Sequence, residues 1–224
     1  MRRARACPAI ALLSLAVAAG CHKKKPDNEL PTVRGSGVGS STSRQLAPFS
    51  RIDVHGVLEL TVNVGKNEPL EIRGEDNLFE HLPSTVVGGE LALRPDAVLK
   101  ATQPLRLVVG TERLDAVSAS IGVKMTVHGV KADTFTLRAA GASRVVMDGS
   151  ASTLSASARS VAQLDLHAFQ AGNVTASAQD FSRVYLGYVE KLDATQKGNG
   201  VISYRGTPDV MRHAERPANV GPSL

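Results

Sequence analysis

Apolar residues fall on every second position through most of this chain. Ile52 and Val54, then Leu58, Leu60, Val62 and Val64, alternate with polar neighbours before Gly65-Lys66-Asn67 turns the chain. Leu70 and Ile72 follow, with a turn at Gly74-Glu75-Asp76-Asn77. Val86-Val87, Gly88-Gly89, Leu91 and Leu93 read as a hairpin or successive strands, and Leu105, Leu107 and Val109 add another. Short runs of period two bounded by Gly, Asn and Asp are the pattern of half-buried strands. A helix of several turns needs apolar residues three and four apart, and that spacing is sustained nowhere. The expected class is all-β.

The second half repeats. Leu114-Asp115-Ala116-Val117-Ser118 aligns with Phe135-Thr136-Leu137-Arg138-Ala139, and the shape returns from Leu154, Val174 and Leu192. The starts lie 21, 19, 20 and 18 residues apart. Each unit carries a second alternation: Val123, Met125 and Val127; Val145 and Met147; Leu164 and Leu166; Val184 and Leu186; Ile202 and Tyr204. A period near twenty with two or three short strands per unit is one coil of a β-solenoid. Coils sit about 4.8 Å apart, so equivalent residues stack into ladders. The expected inward ladders are Leu114, Phe135, Leu154, Val174, Leu192; then Ala116, Leu137, Ala156, Ala176, Ala194; then Ser118, Ala139, Ala158, Ala178, Gln196. Between them Asp115, Thr136, Ser155, Thr175 and Asp193 point outward, beside Val117, Arg138, Ser157, Ser177 and Thr195. The expectation is a single parallel β-helix-like domain over residues 44–206, with coils of about 18–21 residues.

The ends read differently. Arg2, Arg3 and Arg5 precede an apolar run, Ile10 to Val17, and Ala18-Ala19-Gly20 leads to Cys21. This is a secretory signal over residues 1–20, shorter than the roughly 20 apolar residues of a membrane span. Ala18-Ala19-Gly20-Cys21 resembles a lipoprotein processing site, which implies cleavage after Gly20 and lipidation of Cys21, with several acyl chains holding the protein to a bilayer. His22 stands where Asp would signal inner-membrane retention in some bacteria, so the expected location is the outer membrane. Cys7 leaves with the leader, so the processed chain holds neither an intrachain disulfide nor a cysteine metal site. Residues 21–43, with Lys23-Lys24-Lys25-Pro26 and a Gly/Ser-rich run from Gly35 to Ser43, read as a flexible tether. Residues 207–224, with Pro208, Pro217, Gly221 and Pro222, read as a flexible tail, and Arg44 to Val64 as the cap of one end of the stack.

Charge and rings narrow the function. The formal net charge is +5, but removing residues 1–20 leaves 23 basic against 21 acidic residues, and removing Lys23 to Lys25 leaves 20 against 21. A nucleic-acid-binding domain carries its basic excess on the folded body. Aromatic residues are only 4% of the chain, too sparse for a base-stacking platform. No nucleic acid is expected as a partner.

Several segments together resemble a known family. Arg44 through Phe49, Ile52-Asp53-Val54-His55-Gly56-Val57-Leu58-Glu59-Leu60-Thr61-Val62, Glu75-Asp76-Asn77-Leu78, Thr85 through Leu93, the later coils, and Gly198 through Pro208 look like the head-GIN domain family of putative autotransporter adhesins. The resemblance covers about Arg44 to Val210. It implies a secreted or lipid-anchored β-helix-like domain with an adhesive role. Gly110-Thr111-Glu112-Arg113 departs from the family pattern, where a Pro-Leu pair is typical.

Candidate chemistry is sparse. Asp148 and His167 align as equivalent outward positions on neighbouring coils, with Asp165 two residues before His167 and Arg205 further along that row. Polysaccharide lyases and hydrolases converge two carboxylates on a sugar, and these residues are the one group resembling such a cluster; an ordinary solvated charged face is the favoured account of them. His55, His81, His128 and His213 are scattered, without metal-ligand spacing. The expectation is therefore a non-enzyme with no cofactor and no metal. Its outward face of Asp115, Thr136, Ser155, Thr175 and Asp193, with Asp148 and His167, would bind a glycan or protein surface. A structural envelope scaffold that assembles through its open ends as a homo-oligomer is the alternative.

Overall fold

The structure is a computed structural model that describes residues 30–223. The chain runs through β1 (Thr32–Arg34), β2 (Gly39–Arg44), β3 (Arg51–Gly56), β4 (Glu59–Val64) and β5 (Leu70–Glu75). A short 3-10 turn, Asp76–His81, leads to β6 (Ser84–Val87), β7 (Glu90–Leu93), β8 (Val98–Lys100), β9 (Arg106–Thr111) and β10 (Ala116–Ile121). Four long strands follow: β11 (Lys124–Ala139), β12 (Arg144–Ala158), β13 (Gln163–Ala178) and β14 (Arg183–Gln196). The last are β15 (Val201–Arg205), β16 (Asp209–Ala214) and β17 (Val220–Pro222). The all-β expectation holds. Fifteen of these strands join one sheet, and β1 and β8 form a separate parallel pair.

Each long strand pairs in parallel with the next, β11 to β12 to β13 to β14. Parallel neighbours require a connection long enough to return to the starting edge. Here the strand itself bends midway, and the second half of one strand plus a tight corner makes the return. The bends fall where the ladders lose register, between Val127 and Val130, Val146 and Asp148, Leu166 and Ala171, and Tyr185 and Tyr188. Gly149 shows why a bend of this kind needs glycine: its φ is +124, and a Cβ there would lie 2.6 Å from the Val130 nitrogen.

Register puts like on like. Phe135 pairs with Leu154, Leu154 with Val174 and Val174 with Leu192, all buried; Leu137, Ala156, Ala176 and Ala194 form the next row. Facing them run Met125, Val145, Leu164, Val184 and Ile202. Phe135 also meets Phe169 across the interior, with ring centroids 6.2 Å apart. Burying each of the larger side chains contributes about 1.5–3 kcal/mol. The row Ala139, Ala158, Ala178 ends on Gln196, which is fully buried. Its amide donates to the Gly198 carbonyl at 2.8 Å and accepts from the Arg216 N–H at 2.8 Å.

Four expectations are corrected. In the first repeat, Val117 rather than Ala116 pairs with Leu137, and Ala119 rather than Ser118 pairs with Ala139. Two alternations are available there, and the one that buries Val117 and Ala119 removes more apolar surface from water than one built on Ala116 and Ser118. Second, the tether expected through residue 43 is partly strand: Gly39–Arg44 pairs antiparallel with Leu70–Glu75. Third, the tail is paired, Asp209–Ala214 on β14 and Val220–Pro222 on β15. Last, Arg44 to Val64 is not an end cap, because β3 lies between β7 and β10, and β4 between β9 and β11. Beyond them the antiparallel partners β2, β5 and β6 finish that end.

One corner is built alike in every coil. Gly56, Ile121, Gly141, Ser160, Asp180 and Gly198 all have left-handed backbone, with φ of 109, 82, 67, 62, 62 and 63. They stack: Ile121 pairs with Gly56, the Val161 N–H donates to the Gly141 carbonyl at 3.2 Å, and the Phe181 N–H to the Ser160 carbonyl at 2.8 Å.

Candidate functional site

The outward face of β11 to β14 and β16 consists of three in-register columns. Thr134, Thr153, Asn173, Lys191 and Asp209 form one; Thr136, Ser155, Thr175, Asp193 and Met211 the next; Arg138, Ser157, Ser177, Thr195 and His213 the third. Alternation along each strand leaves small hydroxyls outward wherever apolar residues point in. Four of the expected face residues, Thr136, Ser155, Thr175 and Asp193, therefore stand side by side. Asp115 does not join them: Ala116 takes its place opposite Thr136, and Asp115 pairs instead with Arg113 at 2.9 Å.

Two grooves cross this region. One, of about 430 Å³, is lined by Asn173 and Thr175, by Lys191 and Asp193, and by Asp209 and Met211. Within it the Oδ1 atom of Asp193 is buried and accepts no hydrogen bond, and the Nε2 atom of His213 lies 3.5 Å away. The other, of about 550 Å³, has a floor of Ala151, Ala171 and Val189 and walls of Ser150, Gln170 and Glu190, with Tyr188 largely exposed at its edge. The grooves thus combine a half-exposed carboxylate, polar walls and an exposed ring.

The Asp148 and His167 cluster is not assembled. The ladder slips between Val146 and Asp148, so Asp148 pairs with Ala168 rather than His167. Asp148 accepts from the Gly129 N–H at 2.7 Å and bonds His128 Nδ1 at 2.6 Å. Burial pushes its carboxyl up, but the Gly129 N–H and His128 outweigh that and hold it below the usual range. His167 Nδ1 bonds Asp165 at 2.9 Å and its ring stacks on Tyr185, with centroids 5.5 Å apart. Arg144 reaches Asp165 at 3.7 Å. Arg205 pairs with Tyr188, on the far side of the bend.

A second polar group escaped the sequence. Asp53, nearly buried, is gripped by Arg94 and lies 3.2 Å from His55 Nε2, while His55 Nδ1 bonds the Ser120 hydroxyl at 2.8 Å. Asp53 holds the Arg94 guanidinium above its ordinary range. The order Ser–His–Asp is that of a nucleophilic triad. Here the Asp53 carboxylate is paired with Arg94, and the group joins β3, β10 and the residue after β7. The pairing of β10 on β3 sets Ser120 opposite His55, and that of β7 on β3 brings Arg94 to Asp53. Among the described residues no cluster of three or more His, Cys, Asp or Glu is placed to hold a metal ion, and no helix is long and apolar enough to cross a membrane. Cys21 lies outside the described residues.

Stacked parallel strands with a hydroxyl-rich face, finished by antiparallel strands at one end, define an all-β, single-domain protein. The chain belongs to the family described as putative auto-transporter adhesin, head GIN domain, whose profile matches residues 48–208. Solved structures share the fold. A putative adhesin from Bacteroides fragilis matches with a TM-score of 0.65 at 17% identity, over 85% of this chain and 96% of that one. A putative adhesin from Parabacteroides merdae matches at 0.56 and 15%, over 87% and 100%. A protein from Parabacteroides distasonis described as a putative lipid binding protein matches at 0.56 and 14%, over 86% and 100%. No curated protein matches the chain in sequence.

Proposed function

We propose that this is a non-catalytic lipoprotein of the cell envelope, held by lipid on Cys21, whose parallel stack is a β-solenoid that binds glycans through its hydroxyl face. The observation that carries this reading is the Asp193 groove. The half-exposed Asp193 carboxylate sits there among Thr175, Asn173, Lys191 and His213, within a column of outward hydroxyls repeating from coil to coil. About half of the Asp193 side chain is accessible, with His213 beside it, so the carboxylate and the neighbouring hydroxyls present acceptors and donors to sugar hydroxyls. The family membership and the adhesin-named structures support the same reading. The two carboxylates of the expected acid–base cluster are engaged singly, Asp148 by His128 and Asp165 by His167 and Arg144.

Protease shaving of intact cells, followed by immunodetection of the domain, tests the location. Loss of the domain places it outside the cell and justifies a glycan screen, in which Asp193→Ala and Tyr188→Ala are expected to weaken any hit. Protection until the outer membrane is opened would sink the adhesive reading in favour of a periplasmic scaffold.

A further inference from the structure

Six of the ten large apolar side chains most exposed in the described structure lie along one edge. They are Leu30, Val57, Val98, Ile121, Val161 and Phe181. Val57, Ile121, Val161 and Phe181 belong to the stacked left-handed corners, and a Cβ on Gly122 would touch Val57 at 3.2 Å. Leu30 and Val98 meet Val57 and Ile121 around an apolar cavity of about 320 Å³, with Pro95 in its wall and His55 and Arg94 as its polar groups. Scattered exposed hydrophobes need no explanation, but a contiguous line of them marks an interaction surface.

The charge beside this line is basic. Lys124, Arg144 and Arg183 share one column just after the corners, and Arg159 and Lys197 stand just before them, all exposed. Acidic groups lie on this edge too, and some of them pair with its cations. Glu59 pairs with Lys124 and Arg106, Asp165 with Arg144 and His167, and Asp53 with Arg94. Asp180 accepts from the Ser160 N–H and Glu215 from the Gly198 N–H. Among the groups named, Arg159, Arg183 and Lys197 are the cations outside these ion pairs, and cations outnumber carboxylates by seven to five, whereas from Pro26 onward the chain has 20 basic and 21 acidic residues.

We infer that this corner edge is the face the protein lays on an anionic lipid bilayer, with Val57, Ile121, Val161 and Phe181 entering the interface and the flanking Lys and Arg meeting headgroup phosphates. Apolar residues inserted beside basic ones are how peripheral proteins bind such surfaces. The inference deepens the anchored reading proposed above: Leu30 is the first described residue and sits on this edge, nine positions after Cys21. Nine residues span about 30 Å at most, so lipid on Cys21 would keep the edge within that distance of the membrane.

The test uses the chain from residue 21 onward with Cys21→Ser, which contains every described strand and carries no lipid. Removing residues 1–20 and Cys21 leaves no cysteine, so Phe181→Cys and Val87→Cys each take one environment-sensitive fluorophore. Val87 is equally exposed but lies at the Gly88–Gly89 turn, on the opposite edge from Gly56. With vesicles of phosphatidylcholine and phosphatidylglycerol in equal parts, a label at 181 is expected to shift to the blue and a label at 87 to stay unchanged. Val161→Asp with Phe181→Asp is expected to weaken vesicle binding at least about tenfold. No shift at 181, or equal shifts at both sites, overturns the inference. So does a double variant that only converts a dimer into monomers, which would make a second copy the partner. Mass spectrometry of the cell-derived chain reports lipidation of Cys21 separately, so failure of the anchor and failure of the edge are distinguishable.

Discussion

Glu75 presents both carboxylate oxygens to Thr102: the Thr102 N–H donates to Oε2 at 2.8 Å and its hydroxyl to Oε1 at 2.9 Å. The Gly37 N–H adds a third bond at 2.7 Å, so one fully buried side chain at the end of β5 holds the link between β1 and β2 and the loop before β9. This is the physical reason that residues composed like a linker are ordered.

That clamp predicts an acid sensitivity. Its bonds, the Thr102 N–H foremost, hold the Glu75 carboxyl below its ordinary value of 4.5 against the opposing effect of burial. A depressed value contributes stability that is complete above the ordinary range and is lost as pH falls through the lowered one. Glu75→Gln should lower the thermal midpoint at neutral pH, and the deficit should shrink in acid. Gly35→Ala should act similarly, because its Cβ would collide with the Glu75 carboxylate. Thermal melts across an acid series check both.

Asp148 has the same sign with a smaller reach. Its carboxyl is held low by the Gly129 N–H and His128, so its contribution also disappears as pH falls. The pair is partly exposed, with side chains 51% and 41% accessible, so Asp148→Asn should cost about 1 kcal/mol or less at neutral pH. Chemical denaturation at neutral and acid pH checks the size and the convergence.

Phe135 is fully buried and meets both Leu154 and Phe169. Phe135→Ala should destabilise by about 3–5 kcal/mol. Ser155→Ala, one residue beyond Leu154 on the outward face, should change stability by no more than about 0.5 kcal/mol. Urea unfolding of the two variants separates an inward row from an outward one.

Ile121 holds a β-branched side chain at φ +82, in a corner where coils use Gly, Ser or Asp. Left-handed backbone costs such a residue about 1–2 kcal/mol, and the side chain is 62% exposed, so little burial repays it. Ile121→Asn should therefore raise the thermal midpoint. In vesicle assays the same variant should bind more weakly, since the strained residue is one of the apolar corner side chains.

Much of the fold was legible because the interior repeats at one residue pitch. Phe135, Leu154, Val174 and Leu192 share a register that their spacing reveals, and the hydroxyls between them follow from strand alternation. The first coil was misread by one residue because Leu114-Asp115-Ala116 copies the later pattern while Val117 and Ala119 bury more. The bends were misread as well. Asp148 and His167 look equivalent only if the ladder continues evenly past Val146, and it does not. Long-range partners left no local trace. Glu75 with Thr102, and His55 with Ser120, lie 27 and 65 residues apart, and nothing in their neighbourhoods announces the pairing.

The paired tail has a consequence for assembly. Parallel strands stacked in register are the arrangement of a cross-β fibre, which lengthens by adding strands to an open end. Here β17 is three residues long and ends at Pro222, which has no N–H to offer a newcomer, and the Arg216 N–H is already committed to Gln196. The opposite end finishes in antiparallel strands, the four-residue β6 on β7 and the six-residue β2 on β5. Each end of the stack therefore finishes partly in a short or proline-ended strand, β6 or β17, and partly in a six-residue strand, β2 or β16, that is paired on one side only.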